Sequence, residues 1–275
     1  MIKPIFGALA LVLLASCTTL KVDESAVFKP NHSGLIEEAL PEGYQLREFK
    51  SARGDGSQRY GISVVHPNNK ATVLYFGGNM FDIPSGAAGV IKRLTKANVN
   101  LYMFDRRGYG YSSGKPTTTL ALADALENFD FVRTEVQGKL IVHGISLGSF
   151  EAGHVAKNRE LDGLVLEGST TNVDEWARTL VPWYAKPFIS VEVSDALRVV
   201  DNIAVVQHHK APLLVVVGDQ DNITPVALSQ RLFDQSQSSV KQLFIAKGMG
   251  HTTATQHKDF AGMYSDYVHN KVTAL

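Results

Sequence analysis

Apolar residues along this chain fall into short blocks that alternate between two spacings. Ala71 to Phe76 (ATVLYF) is a continuous apolar run rich in β-formers, the pattern of a strand buried on both faces. Similar short runs occupy Asn100–Phe104, Leu140–His143, Leu164–Glu167, Leu213–Val217 and Gln242–Ala246. Between them lie helix-spaced segments. Thr119–Val136 carries Leu122, Leu126, Phe129, Val132 and Val136 at steps of three and four, one face of a helix. Helices are also predicted over Pro84–Ala97, Leu147–Ala156, Pro225–Phe233 and Lys258–His269. Ahead of this alternation, Leu46–Lys50 and Gln58–His66 flank a glycine-rich turn, Arg53-Gly54-Asp55-Gly56-Ser57, and predict a hairpin.

Strands alternating with helices imply a mostly parallel central sheet covered on both faces, here with an antiparallel start. In such sheets the chemistry gathers at the carboxyl ends of the strands. The Leu140 strand runs into Gly144-Ile145-Ser146-Leu147-Gly148, a G-x-S-x-G phrase between a strand and a helix. That context makes Ser146 a candidate nucleophile held on a strained turn. A nucleophilic serine needs a base, and the base an orienting acid. The Leu213 strand ends in Gly218-Asp219-Gln220-Asp221, and the Gln242 strand ends in Gly248-Met249-Gly250-His251. Either aspartate could serve as the acid, and His251 is the candidate base.

With these pieces in order, the chain from about Leu46 onward resembles the α/β-hydrolases of the serine-hydrolase type with a short lid. The resemblance implies the α/β-hydrolase fold. Its G-x-x-D-x-x-x-P phrase matches Gly218, Asp221 and Pro225, which selects Asp221 over Asp219 as the acid. Its D-x-R-G-Y-G-x-S-x-G phrase matches Asp105 to Gly114. The family's His-Gly-Asn loop corresponds to Gly77-Gly78-Asn79, with glycine in place of the histidine. By that match the backbone N–H groups of Asn79 and Leu147 form an oxyanion hole. No cofactor or metal is implied.

The segment 170–210 breaks the strand–helix rhythm and holds Trp176, Trp183, Tyr184 and Phe188. It is either a lid over the serine or a set of aromatics packed onto the sheet. His143 is expected to be a packed strand residue, and the His208-His209 pair to be solvated.

The first residues differ in kind. One positive charge precedes an apolar stretch from Ile5 to Ala15, too short to span a bilayer and suited to a signal peptide. Leu14-Ala15-Ser16-Cys17 resembles the lipobox of bacterial lipoproteins, and Cys17 is the single cysteine of the 275 residues. The resemblance implies cleavage of residues 1–16 and lipidation of Cys17. Thr18 after the cysteine suggests an outer-membrane anchor facing the periplasm. Residues 17–40 then read as a lipidated tether, and 41–275 as the hydrolase domain.

Composition narrows the partners. Lys+Arg and Asp+Glu both number 27, so no net field favours nucleic acid. The expected substrate is a small or lipid-like acyl compound. The expected activity is acyl ester hydrolysis, with a peptidase, a thioesterase or a non-catalytic binding protein of the same fold as alternatives.

Overall fold

The computed structural model describes residues 18–30, 40–182 and 184–272. In chain order the elements are β1 (Thr18–Val22), α1 (Glu24–Val27), β2 (Gln45–Ala52), β3 (Gln58–Val65), β4 (Ala71–Phe76), α2 (Ile83–Leu94) and β5 (Asn100–Phe104). There follow α3 (Thr118–Glu135), β6 (Lys139–Ile145), α4 (Leu147–Asn158), β7 (Gly163–Glu167), α5 (Val173–Thr179) and β8 (Ile189–Val193). The last are α6 (Asp195–Arg198), α7 (Asn202–Val206), β9 (Leu213–Gly218), α8 (Val226–Gln235), β10 (Lys241–Ala246) and α9 (Phe260–Asp266).

Eight strands form one sheet in the order β10-β9-β7-β6-β4-β5-β3-β2. The β2–β3 and β3–β5 pairs are antiparallel and the others parallel, so the expected hairpin start and parallel body are both present. This is the α/β-hydrolase fold. Side chains of β4 and β6 divide by the two-residue period of a strand. Val73, Tyr75 and Ile141 enter a core with α2 and α9, while Leu74, Phe76, Leu140 and Val142 enter a second core with α3 and α4. Burial on both faces is what makes these strands continuously apolar rather than alternating.

Helix starts are fixed locally. Asp82 caps α2 by accepting from the Ser85 N–H at 2.8 Å, and Thr117 caps α3 by accepting from Leu120 at 3.2 Å. The predicted final helix differs: a 3₁₀ turn at Ala254–Gln256 precedes α9, which passes into a π-turn at Tyr267–Lys271.

The chain leaves β4 toward β5 on one side and returns to place β6 on the other. The loops after β4 and β6 therefore diverge to opposite faces and open a crevice between them. That reversal point is where α/β sheets hold ligands.

Two expectations need correction. Residues 17–40 are not wholly a tether, because β1 pairs in parallel with β8, Thr18 opposite Ile189 through Val22 opposite Val193. Val22 is buried in a third core with Leu122, Phe150, Val173 and Leu197. Folded structure therefore begins well before Pro41. The lid segment also divides. Its first part, with α5, β8 and α6, belongs to this third core, whereas Val205 and Val206 of α7 pack in the second core, with α3 and α4. Tyr184 and Phe188 stay largely exposed rather than packing on the sheet, and Trp183 and Cys17 lie outside the described residues.

Candidate active site

Three strand ends converge at the crevice. Ser146 follows β6 with φ of +52° and ψ of −119°, a left-handed conformation that L residues with a side chain rarely adopt. Such strain persists only where neighbours over-determine it. Here the Ser146 N–H donates to the Glu167 carbonyl at 2.9 Å, and the Ser146 carbonyl accepts from the Ser149 N–H at 2.9 Å and Oγ at 2.6 Å. Ser149 Oγ in turn accepts from Ser169 Oγ at 2.9 Å. The flanking glycines are needed for close approach: a Cβ on Gly148 would lie 2.1 Å from the Phe76 carbonyl oxygen, and one on Gly144 2.2 Å from that of Gly148.

His251 bridges the other two predicted residues. Its Nε2 lies 2.9 Å from Ser146 Oγ, and its Nδ1 lies 2.8 Å from Asp221 Oδ2. The Asp221 carboxylate is buried and also accepts from the N–H groups of Ile223 (2.9 Å) and Thr224 (2.8 Å) and from Thr224 Oγ1 (2.7 Å). Burial alone would raise its pKa, but the hydrogen bonds from His251 and Thr224 outweigh it and hold the carboxyl below its ordinary range. Asp219 instead accepts from the Gly248 N–H at 2.6 Å and is exposed. The structure thus brings Asp221, and not Asp219, to the histidine.

The loop after β4 reaches the same point. A Cβ on Gly78 would sit 3.6 Å from Ser146 Cβ, so the Gly77–Asn79 backbone lies directly against the serine. Leu147 opens α4, and its N–H has no partner within that helix. Gly77, where the resembled family has histidine, leaves room for Phe81: a Cβ there would meet the Phe81 ring at 2.2 Å.

What holds this loop was not visible in the sequence. The Arg106 guanidinium donates to the Gly78 carbonyl at 2.8 Å and also to that of Gly77. It is paired with Glu151 of α4 through two further bonds of 2.7 and 2.6 Å. Both side chains are buried. Burial would lower the Arg106 pKa, and Glu151 more than restores it; burial likewise raises Glu151 against the pull of Arg106. One arginine thereby ties the β4 loop, the β5 loop and the helix after the serine. Tyr109 adds a bond from its hydroxyl to Asn79 Oδ1 at 3.3 Å. Arg107, the arginine of the D-x-R phrase, binds Asp124 with two bonds of 2.9 Å and also Asp55.

Ser146 and His251 open into a cavity of about 580 Å³. Its walls are mostly apolar, with Leu122, Leu147, Phe150, Val173, Trp176 and Val200 among them. Trp176 and Val173 come from the lid segment, so that segment does cover the serine side. Glu151 is the sole carboxylate in the cavity wall among the described residues, and Arg106 already engages both of its oxygens.

Residues 67–207 match the family model described as serine aminopeptidase, S33. The chain belongs to that family. It is a family of hydrolases, and the match takes in Ser146, Asn79 and Leu147 while leaving Asp221 and His251 beyond its end. Among curated proteins, the chain is 24% identical to the α/β-hydrolase domain-containing protein aho-3 of Caenorhabditis elegans, over 83% of this chain and 67% of that one. It is 26% identical to human α/β-hydrolase domain-containing protein 17B, over 76% and 70%. Among solved structures, the Pyrococcus furiosus esterase Pf2001 superposes with a TM-score of 0.70 at 16% identity, covering 90% of this chain and 98% of the esterase. Mouse α/β-hydrolase domain-containing protein 10 gives 0.59 at 16% identity, over 80% and 95%. At such identities the superpositions speak for the shared fold alone.

Of the other histidines, His143 is fully buried as expected, between Tyr264 Oη (3.1 Å) and Glu167 Oε2 (3.0 Å). The expectation for the His208-His209 pair fails by half. His208 is exposed, but His209 is buried with Nε2 unpartnered, and burial pushes its pKa down to about 4. In the turn after α7 the His209 N–H donates to the Val205 carbonyl at 2.8 Å and the ring is buried, which adjacency in sequence does not reveal.

Proposed function

We propose that this family member is a serine hydrolase that cleaves carboxylic esters of apolar acyl groups through an acyl-enzyme. The observation that carries the reading is the His251 ring placed 2.9 Å from Ser146 Oγ and 2.8 Å from Asp221. Ser146 Oγ attacks the acyl carbonyl carbon while its proton passes to His251 Nε2. The carbonyl oxygen gains the negative charge and is held by the N–H groups of Asn79 and Leu147. The tetrahedral carbon then expels the alcohol, which takes the proton from His251. Water repeats the sequence on the acyl-serine, releasing the acid and restoring Ser146. Asp221 stays ionised throughout and keeps Nδ1 protonated, so Nε2 is the free acceptor.

The family's description favours a second reading, an aminopeptidase. Such an enzyme must pair its substrate's ammonium with a free acceptor, and the cavity's carboxylate is already bound to Arg106. An apolar acyl group fits these walls better. Labelling by a fluorophosphonate probe tests the reading: Ser146→Ala should abolish it in a folded protein. Undiminished labelling of that variant would sink the assignment.

The lipid anchor belongs to the same proposal. Support comes from Leu14-Ala15-Ser16-Cys17 alone. Cleavage before Cys17 and its acylation would place the hydrolase domain at the bacterial envelope, by this pattern at the outer membrane facing the periplasm. Mass spectrometry of the mature N-terminus decides it, and an unmodified Cys17 would remove the anchor without touching the chemistry.

A further inference from the structure

The stretch just after Cys17 does more than connect. Residues Ala26, Val27 and Phe28 line the cavity into which Ser146 opens. Phe28 is buried, and Val27 packs in the third core beside Leu147, Phe150 and Trp176. Three attachments hold this stretch. The β1–β8 ladder ties it to the lid segment over five residue pairs. Glu24 Oε1 accepts from the Thr118 N–H at 2.6 Å, at the start of α3. The Lys29 N–H donates to Asn79 Oδ1 at 3.0 Å, so the segment touches the proposed oxyanion loop itself.

We propose that Thr18–Pro30 is one wall of the acyl-binding site and that Val27 and Phe28 set the length of acyl chain it accepts. The inference rests on the serine-hydrolase reading and deepens it. Cavity size agrees with a chain of some length: sites for drug-sized ligands run to about 300–1,000 Å³, and this cavity offers about 580 Å³. Leu122 of α3, Phe150 of α4 and Trp176 of the lid segment share the cavity lining with this wall. Removing the wall would leave the distal acyl carbons in water, where burial no longer rewards added methylenes. Thr18 follows Cys17 directly, so a lipid on Cys17 would attach at the end of the strand that carries the wall.

The test uses the full chain and two fluorophosphonates that differ only in their alkyl group, ethyl and dodecyl. The readout is the rate of Ser146 labelling. Val27→Trp fills the cavity from the wall, and the dodecyl-to-ethyl rate ratio should fall at least about tenfold, since excluding a few methylenes from an apolar pocket has effects of that size. An unchanged ratio in a labelled variant overturns the proposal. Should Val27→Trp fail to fold, the unbranched Val27→Met is read in the same way, with a ratio drop of about threefold expected and no drop overturning it. A wild-type chain labelled by neither probe would instead remove the serine-hydrolase reading, an outcome distinct from an unchanged ratio.

Discussion

Replacing Glu151 by Gln strips the charge from the partner of a buried arginine while keeping its size. Arg106 would retain the carbonyls of Gly77 and Gly78 but lose two charge-assisted bonds to the carboxylate, now at 2.7 and 2.6 Å. The Gln amide can still accept one bond, and its NH₂ would face a guanidinium N–H with nothing to offer. Hydrogen bonds to charged groups contribute about 1.5–3 kcal/mol each, and breaking one side of a buried pair typically destabilises by about 3–5 kcal/mol. We expect a loss near the lower end of that range, a large part of a domain's usual margin of about 5–15 kcal/mol. With a urea slope of about 3 kcal/mol per molar, the unfolding midpoint should fall by about 1 M. Turnover should fall too, on the order of tenfold with KM little changed, because the displaced loop carries the proposed oxyanion donor, which would act chiefly in the transition state. The paired replacement Arg106→Met with Glu151→Leu should be less destabilising than either single change, since no buried charge remains. A midpoint shift below about 0.2 M for Glu151→Gln, or a double variant worse than both singles, would refute the reasoning.

Other expectations follow from single contacts. Asp221→Asn should reduce turnover on the order of 10⁴-fold by disturbing the His251 tautomer, whereas Asp219→Asn, whose partner is the Gly248 N–H, should change the rate little; steady-state kinetics on a short acyl ester ranks them. Burial holds His209 at about 4 against 6.5 for the free side chain. The unfolded state therefore takes the proton first, and this contribution to stability, complete above pH 6.5, is lost as the pH falls toward 4. His209→Phe should remove that dependence, so its stability relative to wild type should improve by about 3 kcal/mol between pH 7 and pH 4; a constant difference by urea titration would show that His209 reaches water. Gly148→Ala places a methyl 2.1 Å from the Phe76 carbonyl oxygen, and thermal unfolding should show a loss of about 3 kcal/mol.

Sequence alone determined the features whose cause is local. Two-sided burial writes itself as continuous apolar runs, so β4, β6, β7 and β9 were readable within a residue or two. The elbow at Ser146 needs glycines at fixed offsets, and the candidate base follows a strand end, so Ser146 and His251 could be chosen from the residues. Strand-end position left Asp219 and Asp221 equal, and only the family resemblance selected between them. Tertiary structure decided what depends on partners distant in sequence. Arg106 occupies a variable position of its phrase, and only its approach to Gly77, Gly78 and Glu151 gives it a role. The segment Thr18–Pro30 is polar and short, with the look of a tether. Its Thr18–Val22 part becomes a strand because Ile189–Val193, some 170 residues away, supplies the backbone partners that its own sequence cannot. His209 differs from exposed His208 by one position and the direction of a turn. A pattern of residue types records which faces are apolar and which turns are tight. It does not record which distant surfaces will meet, because that is fixed only when the whole sheet and its two covering layers close together.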